Sequence, residues 1–240
     1  MTWKIHLFAA AAEAAGTDEI ILAEDSVDAV RDVRRALALQ APALQELLTR
    51  SWFAVNGEYA TDDTVLRVGD EIAVIPPVSG GLNSARASYS SRDIAVVRDP
   101  LDAGAMYDQV ASPRCGAVVV FAGTVREWTR ERRTLRLEYH AYDEMAIAKL
   151  REVTAACQKR WPIDRISIWH RVGVLEIGEI SLLVGVSTPH RKDAYTAAQF
   201  AVDMLKRIVP IWKKEWYADG QVEWVGPDGP WNPVGEERTP

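Results

Sequence analysis

The sequence predicts an α+β protein with two domains joined by a short linker. Within the first 81 of 240 residues, two strand patterns precede a helical pattern and two more strand patterns follow it. Residues 82–93 are small and polar without periodicity, which is typical of a linker. Long apolar strands and two amphipathic helices follow over residues 94–226. We expect the Pro- and Gly-rich end, residues 227–240, to be a mobile tail.

The elements of the first domain, residues 1–81, follow one another in β-grasp order. Alternating side chains predict a strand at residues 3–9 and an antiparallel neighbour at 19–23. Ser26 offers an N-cap for a helix with valines at helical spacing. An Asn-Gly pair at 56–57 predicts a tight hairpin turn, and a last strand ends in IPPVSGG. Strand, strand, helix, strand, strand predicts a β-grasp, or ubiquitin-like, domain.

The second domain combines long strands with two helices. Its first predicted element is the apolar strand within CGAVVVFAGTVRE, and the strand TLRLEYHAY precedes a helix over residues 143–160. Two further strands, separated by a turn at Gly178, lead into a second helix. For that helix Thr188 is the expected N-cap and Pro189 the expected first helical residue. A hairpin within PIWKKEWYADGQVEWVG completes the domain.

Charge and composition exclude several classes of protein. The net charge is −6, and residues 1–81 carry six basic against thirteen acidic residues, so neither half has the basic surplus of a nucleic-acid-binding protein. No apolar run reaches the roughly 20 residues that span a membrane, and His6 and Glu13 interrupt the N-terminal stretch that resembles a signal peptide. Cys115 and Cys157 lie far apart without metal-ligand spacing, which predicts reduced thiols in the cytoplasm.

The start of the second helix carries an unusual basic cluster. His190, Arg191 and Lys192 fall in its first turn, where positive charge opposes the helix macrodipole. A bound anion would compensate, because free backbone N–H groups at a helix start already favour one. A solvated basic turn, balanced by Asp193, is the alternative that the sequence leaves open.

Two lysines near the end of the same helix form a second candidate cluster. Lys206 precedes Pro210, which cannot continue helical hydrogen bonding, and Lys213 follows it, so the chain must turn between the lysines. Two ammonium groups that converge would lower the pKa of one of them or be neutralised by an anionic ligand, although lysines at helix ends are more often simply solvated. Arg126 follows the apolar strand, at a strand end where sites are common. The sequence contains no GxGxxG, P-loop, GxSxG or HExxH motif.

Several spaced motifs resemble molybdopterin synthase, with both of its subunits in one chain. FAGTVRE, RWPIDRISIWHRVGVLEIGE, VGVSTPHRKDAYTAAQFAVDMLK and VPIWKKE are similar to the large catalytic subunit. The first domain, whose last strand runs into Gly80-Gly81, resembles the small sulfur-carrier subunit. The resemblance implies an α/β-hammerhead-type catalytic domain after the β-grasp domain. It also implies a homodimer formed through the catalytic domain, without a bound cofactor or metal.

The resemblance further implies a sulfur transfer. In this family a terminal glycine thiocarboxylate gives sulfur to cyclic pyranopterin monophosphate, and two transfers form the dithiolene of molybdopterin. Gly81 is then the sulfur-bearing residue, and Lys206 and Lys213 are the catalytic lysines. An adenylating and sulfurating enzyme that activates the carrier tail is an implied partner. The residues implied in substrate binding are Arg126, His190, Arg191, Lys214 and Glu215.

One departure from the family concerns the end of the carrier. Leu82 follows Gly81, whereas family small subunits end at the second glycine, and an internal amide cannot be adenylated. Cleavage by a processing protease, a separate carrier that acts in trans, or a Gly-Gly hinge would each explain this. We favour cleavage, because the small polar residues after Gly81 are easily cut.

Other classes of function remain open at the level of sequence. The β-grasp domain could deliver sulfur, or itself, to other proteins, with the second domain as a non-catalytic docking module. A scaffold for cofactor assembly is a further alternative. Only an enzyme requires the set of lysines and the His-Arg pair.

Overall fold

Three β-sheets and six α-helices form the part of the chain that the computed structural model describes, residues 2–23, 27–76, 93–129 and 131–226. The mixture of separate helices and mostly antiparallel sheets confirms the predicted α+β class. None of the helices in these four ranges is long and apolar enough to cross a membrane. Four predictions lie outside the described residues: Ser26 as a cap, Gly81, the linker up to residue 92, and the tail 227–240.

The first domain is a β-grasp, as predicted. Its five-stranded sheet has the order β2-β1-β5-β3-β4, with β1 and β5 parallel at the centre. Helix α2 buries Val30, Val33 and Leu37 against the sheet. The elements are β1 (Thr2–Leu7), α1 (Ala10–Ala15), β2 (Glu19–Ala23), α2 (Val30–Gln40), a 3₁₀ turn (Pro42–Leu44), α3 (Gln45–Leu48), β3 (Trp52–Val55), β4 (Glu58–Ala60) and β5 (Ile72–Ile75).

Two local predictions for this domain can be compared with the structure. Asn56 and Gly57 have φ angles of 52° and 77°, as the predicted hairpin turn requires. The helix predicted to start after Ser26 begins instead at Val30, with Ala29 as its N-cap residue. The carboxylate of Asp32 accepts the Ala29 N–H at 3.0 Å, so an acid in the first turn satisfies a helix-start donor.

The second domain contains two sheets and two long helices. The four-stranded sheet has the order β6-β10-β12-β7, and the other sheet has the order β11-β9-β13-β14 with β8 beside β9. Helices α5 and α6 pack on the four-stranded sheet. The elements are β6 (Ile94–Val97), α4 (Ala103–Val110), β7 (Ala117–Thr124), β8 (Trp128–Thr129), β9 (Arg132–Ala141), α5 (Asp143–Arg160), β10 (Arg165–Arg171), β11 (Gly173–Leu175), β12 (Ile180–Thr188), α6 (Arg191–Ile208), β13 (Ile211–Tyr217) and β14 (Val222–Val225).

The start of α6 differs from the prediction. The N-cap residue is His190 and the first helical residue is Arg191, not Thr188 and Pro189. Thr188 is still part of β12, where its backbone pairs with Ala117, and its hydroxyl donates to the carbonyl of His190 at 2.8 Å. Sheet pairing therefore holds Thr188 in the extended conformation and delays the helix by two residues.

The two domains pack against each other through an apolar cluster. Its members from the first domain lie on β3, β5 and the loop after β1, and those from the second lie on α5, β13 and the residue before α5. Polar contacts surround it: Lys149 contacts Glu58 at 2.6 Å, and Tyr142 donates to Glu71 at 2.6 Å. The buried cluster comprises Ala9, Ala54, Ala73, Ile75, Tyr142, Met145 and Trp212.

Candidate active site

A cavity of about 430 Å³ opens between the two sheets of the second domain. Strands of both sheets and the end of α6 contribute to its wall, and its volume falls within the usual range for small-molecule sites. Three cationic side chains and one carboxylate are the charged groups among its described lining residues, so the cavity favours an anionic ligand. These groups are Arg126, Lys206, Lys213 and Glu215.

The two candidate lysines converge on this cavity. Lys206 lies in the last turn of α6, and Lys213 lies on β13. The helix ends at Ile208, and the chain passes through Pro210 directly into β13. The structure therefore contains the turn that the sequence predicts between the lysines, and this turn brings both side chains to one wall.

Alternation along β13 separates the three charged residues of the KKE segment. Lys213 and Glu215 face the cavity, whereas Lys214 lies on the opposite face of the strand. There Lys214 contacts Glu13 of the first domain at 2.8 Å. The substrate contact predicted for Lys214 does not match this placement, which instead suits a contact between the domains.

Glu215 is a buried carboxylate next to a catalytic lysine. Only 1% of its surface is exposed, and its Oε1 lies 2.5 Å from Lys213 Nζ. Burial alone raises the pKa of Glu215, but the hydrogen bond and charge of Lys213 outweigh burial and bring the pKa below its ordinary value. The carboxylate is thus ionised and engaged by Lys213, which favours anchoring of the lysine over the predicted contact with substrate.

Arg126 lies at the mouth of the cavity, while the His-Arg pair lies elsewhere in the chain. Arg126 follows β7 and is exposed, with its side chain in the cavity lining. His190 and Arg191 are exposed at the start of α6, and Arg191 is fifteen residues from Lys206. At 1.5 Å per residue this separation is roughly 22 Å, so one chain does not bring the pair to the lysines.

His170, on β10, is a further residue of the cavity lining. Its ring lies edge-on to Tyr139 at 5.1 Å, and its Nδ1 is 2.9 Å from the carbonyl of Arg171. Burial lowers the pKa of His170 to about 4, so the ring is neutral at neutral pH. Alternation in ISIWHR indicates its burial, but only the packing of the second sheet reveals that it faces the cavity.

Comparisons with known proteins match both domains. The family model of the MoaE protein matches residues 96–208, and that of the ThiS family matches residues 5–81. The molybdopterin synthase catalytic subunit of Halalkalibacterium halodurans is 46% identical over 137 residues, which are 57% of this chain and 87% of that protein. The subunit of Bacillus subtilis is 44% identical over 131 residues, 55% of this chain and 83% of that protein.

A solved structure agrees with the sequence relatives. The crystal structure of molybdopterin synthase from Staphylococcus aureus matches with a TM-score of 0.54 and 43% identity. The match covers 56% of this chain and 98% of that chain.

A β-grasp carrier domain that packs on a domain with a cationic cavity defines a group-transfer enzyme with its carrier attached. The chain belongs to the molybdopterin synthase family, with the catalytic subunit at residues 96–208 and a carrier domain of the ThiS family ahead of it. It is therefore an enzyme of molybdenum cofactor biosynthesis that combines the carrier and catalytic parts in one polypeptide. We refer to residues 1–81 and 94–226 as the carrier and catalytic domains.

Proposed function

We propose that the catalytic domain transfers sulfur from a thiocarboxylate on Gly81 to cyclic pyranopterin monophosphate bound in the cavity. The observation that carries this proposal is the convergence of Lys206 and Lys213 on a cavity with three cations and one carboxylate. A cyclic phosphate and a thiocarboxylate are both anions, and they would compensate this excess of positive charge. Preorganised charge of this kind is usually the largest catalytic contribution.

The position of the last carrier strand supports delivery of the tail to the same chain's cavity. Strand β5 ends at Ile75, and the carbonyl of Pro76 accepts a hydrogen bond from Trp212 Nε1 at 3.2 Å. Trp212 is the neighbour of Lys213 on β13. Five residues lead from Pro76 to Gly81, and an extended chain of that length reaches at most about 17 Å. The terminal glycines have no Cβ atoms, so they suit a narrow passage.

Both lysines assist the proposed reaction through their positive charge. The thiocarboxylate sulfur attacks a side-chain carbon of the pterin and displaces an oxygen substituent, which leaves with a proton from an ammonium group, so that a thioester joins the pterin to Gly81. Water then adds to the thioester carbonyl and the acyl C–S bond breaks, which leaves the sulfur on the pterin and a free carboxylate on Gly81. Ammonium groups of Lys206 and Lys213 stabilise the oxyanion that develops at the attacked carbonyl and assist proton transfer. Arg126, at the cavity mouth, suits the phosphate of the substrate.

A homodimer through β7 would complete the site with the His-Arg pair. Among the described strands β7 is an edge strand, and its exposed Phe121 is an apolar residue of the kind that edges normally avoid. Its first residue, Ala117, pairs with Thr188, close to His190, whereas its last residues line the cavity. Antiparallel pairing of two β7 edges about a twofold axis would therefore place the partner's His190 at this chain's cavity.

The length of β7 matches the separation that the dimer must bridge. Seven residue steps along a strand cover roughly 24 Å, close to the roughly 22 Å between Arg191 and Lys206 along α6. The predicted substrate-binding role of His190 and Arg191 is thus retained as a proposal for the dimer, with one copy supplying the lysines and the other the His-Arg pair.

Activation of the carrier requires a free carboxylate at Gly81. We propose that a protease cleaves after Gly81 and that an adenylating and sulfurating enzyme then charges the tail. A carrier acting in trans remains the alternative. We place these steps in the cytoplasm, a proposal supported by the free thiols of Cys115 and Cys157.

The test is conversion of cyclic pyranopterin monophosphate by the native protein, whose cleavage state is first read by intact mass spectrometry. We expect Lys206→Ala and Lys213→Ala each to lower dithiolene formation at least a hundredfold, consistent with the loss of oxyanion stabilisation. Lys159→Ala, on the exposed side of α5, is the matched control and should keep full activity. Full activity of the Lys206→Ala variant would instead favour a carrier with a non-catalytic docking domain. Activity of a persistent uncut chain would overturn cleavage.

A further inference from the structure

Next to Lys213 lies a set of hydrogen-bonded side chains that has no part in the reaction proposed above. Lys213, Glu215 and Tyr217 are alternate residues of β13, so their side chains share one face of the strand. Lys213 and Glu215 reach the cavity lining, and Tyr217 lies behind them, only 4% exposed. We call Glu215, Tyr217 and Thr129 the Lys213 brace.

The brace occupies both oxygens of the buried carboxylate. Oε1 of Glu215 contacts Lys213 Nζ at 2.5 Å, and Oε2 accepts the Tyr217 hydroxyl at 2.9 Å. The side chain of Thr129, on β8, also contributes to lowering the pKa of Glu215. A carboxylate satisfied on both oxygens keeps one orientation, because turning it would leave buried donors unpaired.

The ring of Tyr217 is itself held in place. The guanidinium of Arg132 lies 3.6 Å from the centroid of the Tyr217 ring, within cation–π range. Arg132 is fixed in turn by Asp219 at 3.2 Å and by a close contact with Glu223. A β-bulge separates the β9 partners of Trp216 and Tyr217, the kind of irregularity that re-aims side chains near active sites.

We propose that Tyr217 is a positioning residue for Lys213, which it holds toward the cavity by fixing the Glu215 carboxylate. This inference rests on the proposed function, since it assumes that Lys213 acts in the transfer. Tyr217 does not touch the substrate cavity and acts through Glu215 alone. Thr129 affects the same carboxylate from β8, the strand that pairs with β9.

The protonation states agree with this arrangement. Burial, followed by the hydrogen bond to Glu215, raises the pKa of Tyr217 to about 12, so its hydroxyl carries a proton to donate. Burial opposes ionisation of Glu215, and the donors around it overcome that effect and lower its pKa. Loss of a donor must therefore raise the pKa of Glu215.

The test compares Tyr217→Phe with the intact chain in single-turnover sulfur transfer across pH. We expect the rate constant at saturating pterin to fall about tenfold at neutral pH, the equivalent of one hydrogen bond to a charged group, with little change in the pterin concentration that gives half of the maximal rate. The acid limb of the pH–rate profile should move to higher pH, because Glu215 then takes up its proton at higher pH. Tyr107→Phe, at an exposed tyrosine of α4, is the matched control and should change neither quantity.

A second measurement does not depend on turnover. The carboxyl ¹³C resonance of Glu215 in the full chain should titrate at higher pH in Tyr217→Phe, and in Thr129→Val as well. An unchanged pH profile together with an unchanged titration would overturn the positioning role. If the unaltered protein transfers no sulfur while the titration still shifts, the proposed function fails and the structural role of the brace remains.

Discussion

His170 shows how a single residue in the cavity wall can be tuned by its surroundings. Its ring is buried against Tyr139, and the carbonyl of Arg171 accepts the Nδ1 proton of the neutral form. Burial lowers the pKa of His170 to about 4, well under the ordinary value of about 6.5. A neutral ring adds no charge to a wall that already carries three cations, so the anion-binding charge stays with Arg126 and the lysines.

This pKa predicts how stability changes with pH. Below about pH 6.5 the unfolded chain protonates His170, whereas the folded chain resists until about pH 4, so the free energy of unfolding falls as the pH drops through this window. Between pH 6.5 and 4.5 the loss from this group is about 2 to 3 kcal/mol. Urea unfolding of the unaltered chain and of His170→Gln at pH 6.5 and pH 4.5 measures this loss. Carboxylates titrate in both proteins, so the difference between their pH dependences belongs to His170. Equal pH dependence in the two would contradict a depressed pKa.

The site could be predicted in part because the positions of some residues follow from their neighbours in the sequence. Pro210 forces a turn, so Lys206 and Lys213 can be expected to converge from sequence alone. Lys214 and Glu215 could have been separated as well, since period-two alternation along a strand puts neighbours on opposite faces. The position of His170 in the cavity wall depends on how two sheets pack, and no local pattern encodes that.

At the scale of elements, long periodic segments were predictable and short ones were not. Helix α5 spans Asp143–Arg160, the residues that its pattern predicts. Strand β6 has only four residues and helix α1 only six, too short for a periodicity to stand out. Helix α4 had a usable signal, because Asp102 caps it by accepting the Gly104 N–H at 2.7 Å.

Strand β7 carries the prediction that belongs to this scale. If two β7 edges pair, each site uses lysines from one copy and the His-Arg pair from the other. Lys206→Ala and Arg191→Ala should each be nearly inactive alone. Co-expression should restore about a quarter of the activity, because half of the dimers are mixed and each mixed dimer has one complete site of two.

The control for this complementation combines two changes that both remove a lysine of the site. Mixed dimers of Lys206→Ala with Lys213→Ala contain no complete set of lysines and should stay inactive. Activity is measured as dithiolene formation by the co-expressed mixture. Dimers purified through two different affinity tags are all mixed and should reach about half of the full activity. No recovery in the first mixture, or equal recovery in both, would contradict a site shared between copies.

For the whole molecule, the arrangement of the two domains decides which carrier serves which cavity. Strand β13 takes part in both the contact between the domains and the cavity. Trp212 and Lys214 face the carrier domain, whereas Lys213 faces the cavity. A charged contact between the domains is made by Lys149 of α5, whose side chain is only 6% exposed. Its ammonium group contacts Glu58 of the carrier domain and Glu152 of the same helix. A buried ammonium with two carboxylate partners discriminates strongly against a second positive charge.

Reversal of the charge at Glu58 should therefore separate the domains. In Glu58→Lys an ammonium faces the buried Lys149, and we expect the domains to undock, with a larger radius of gyration in X-ray scattering and at least a tenfold slower single-turnover transfer from the attached carrier. Affinity for the pterin should not change, because the cavity is untouched. Glu46→Lys makes the same charge change on an exposed residue of α3 and should behave as the unaltered chain. If both variants scatter and react alike, the carrier that serves the cavity is not held there by Lys149, and delivery by a carrier from another molecule becomes the better account.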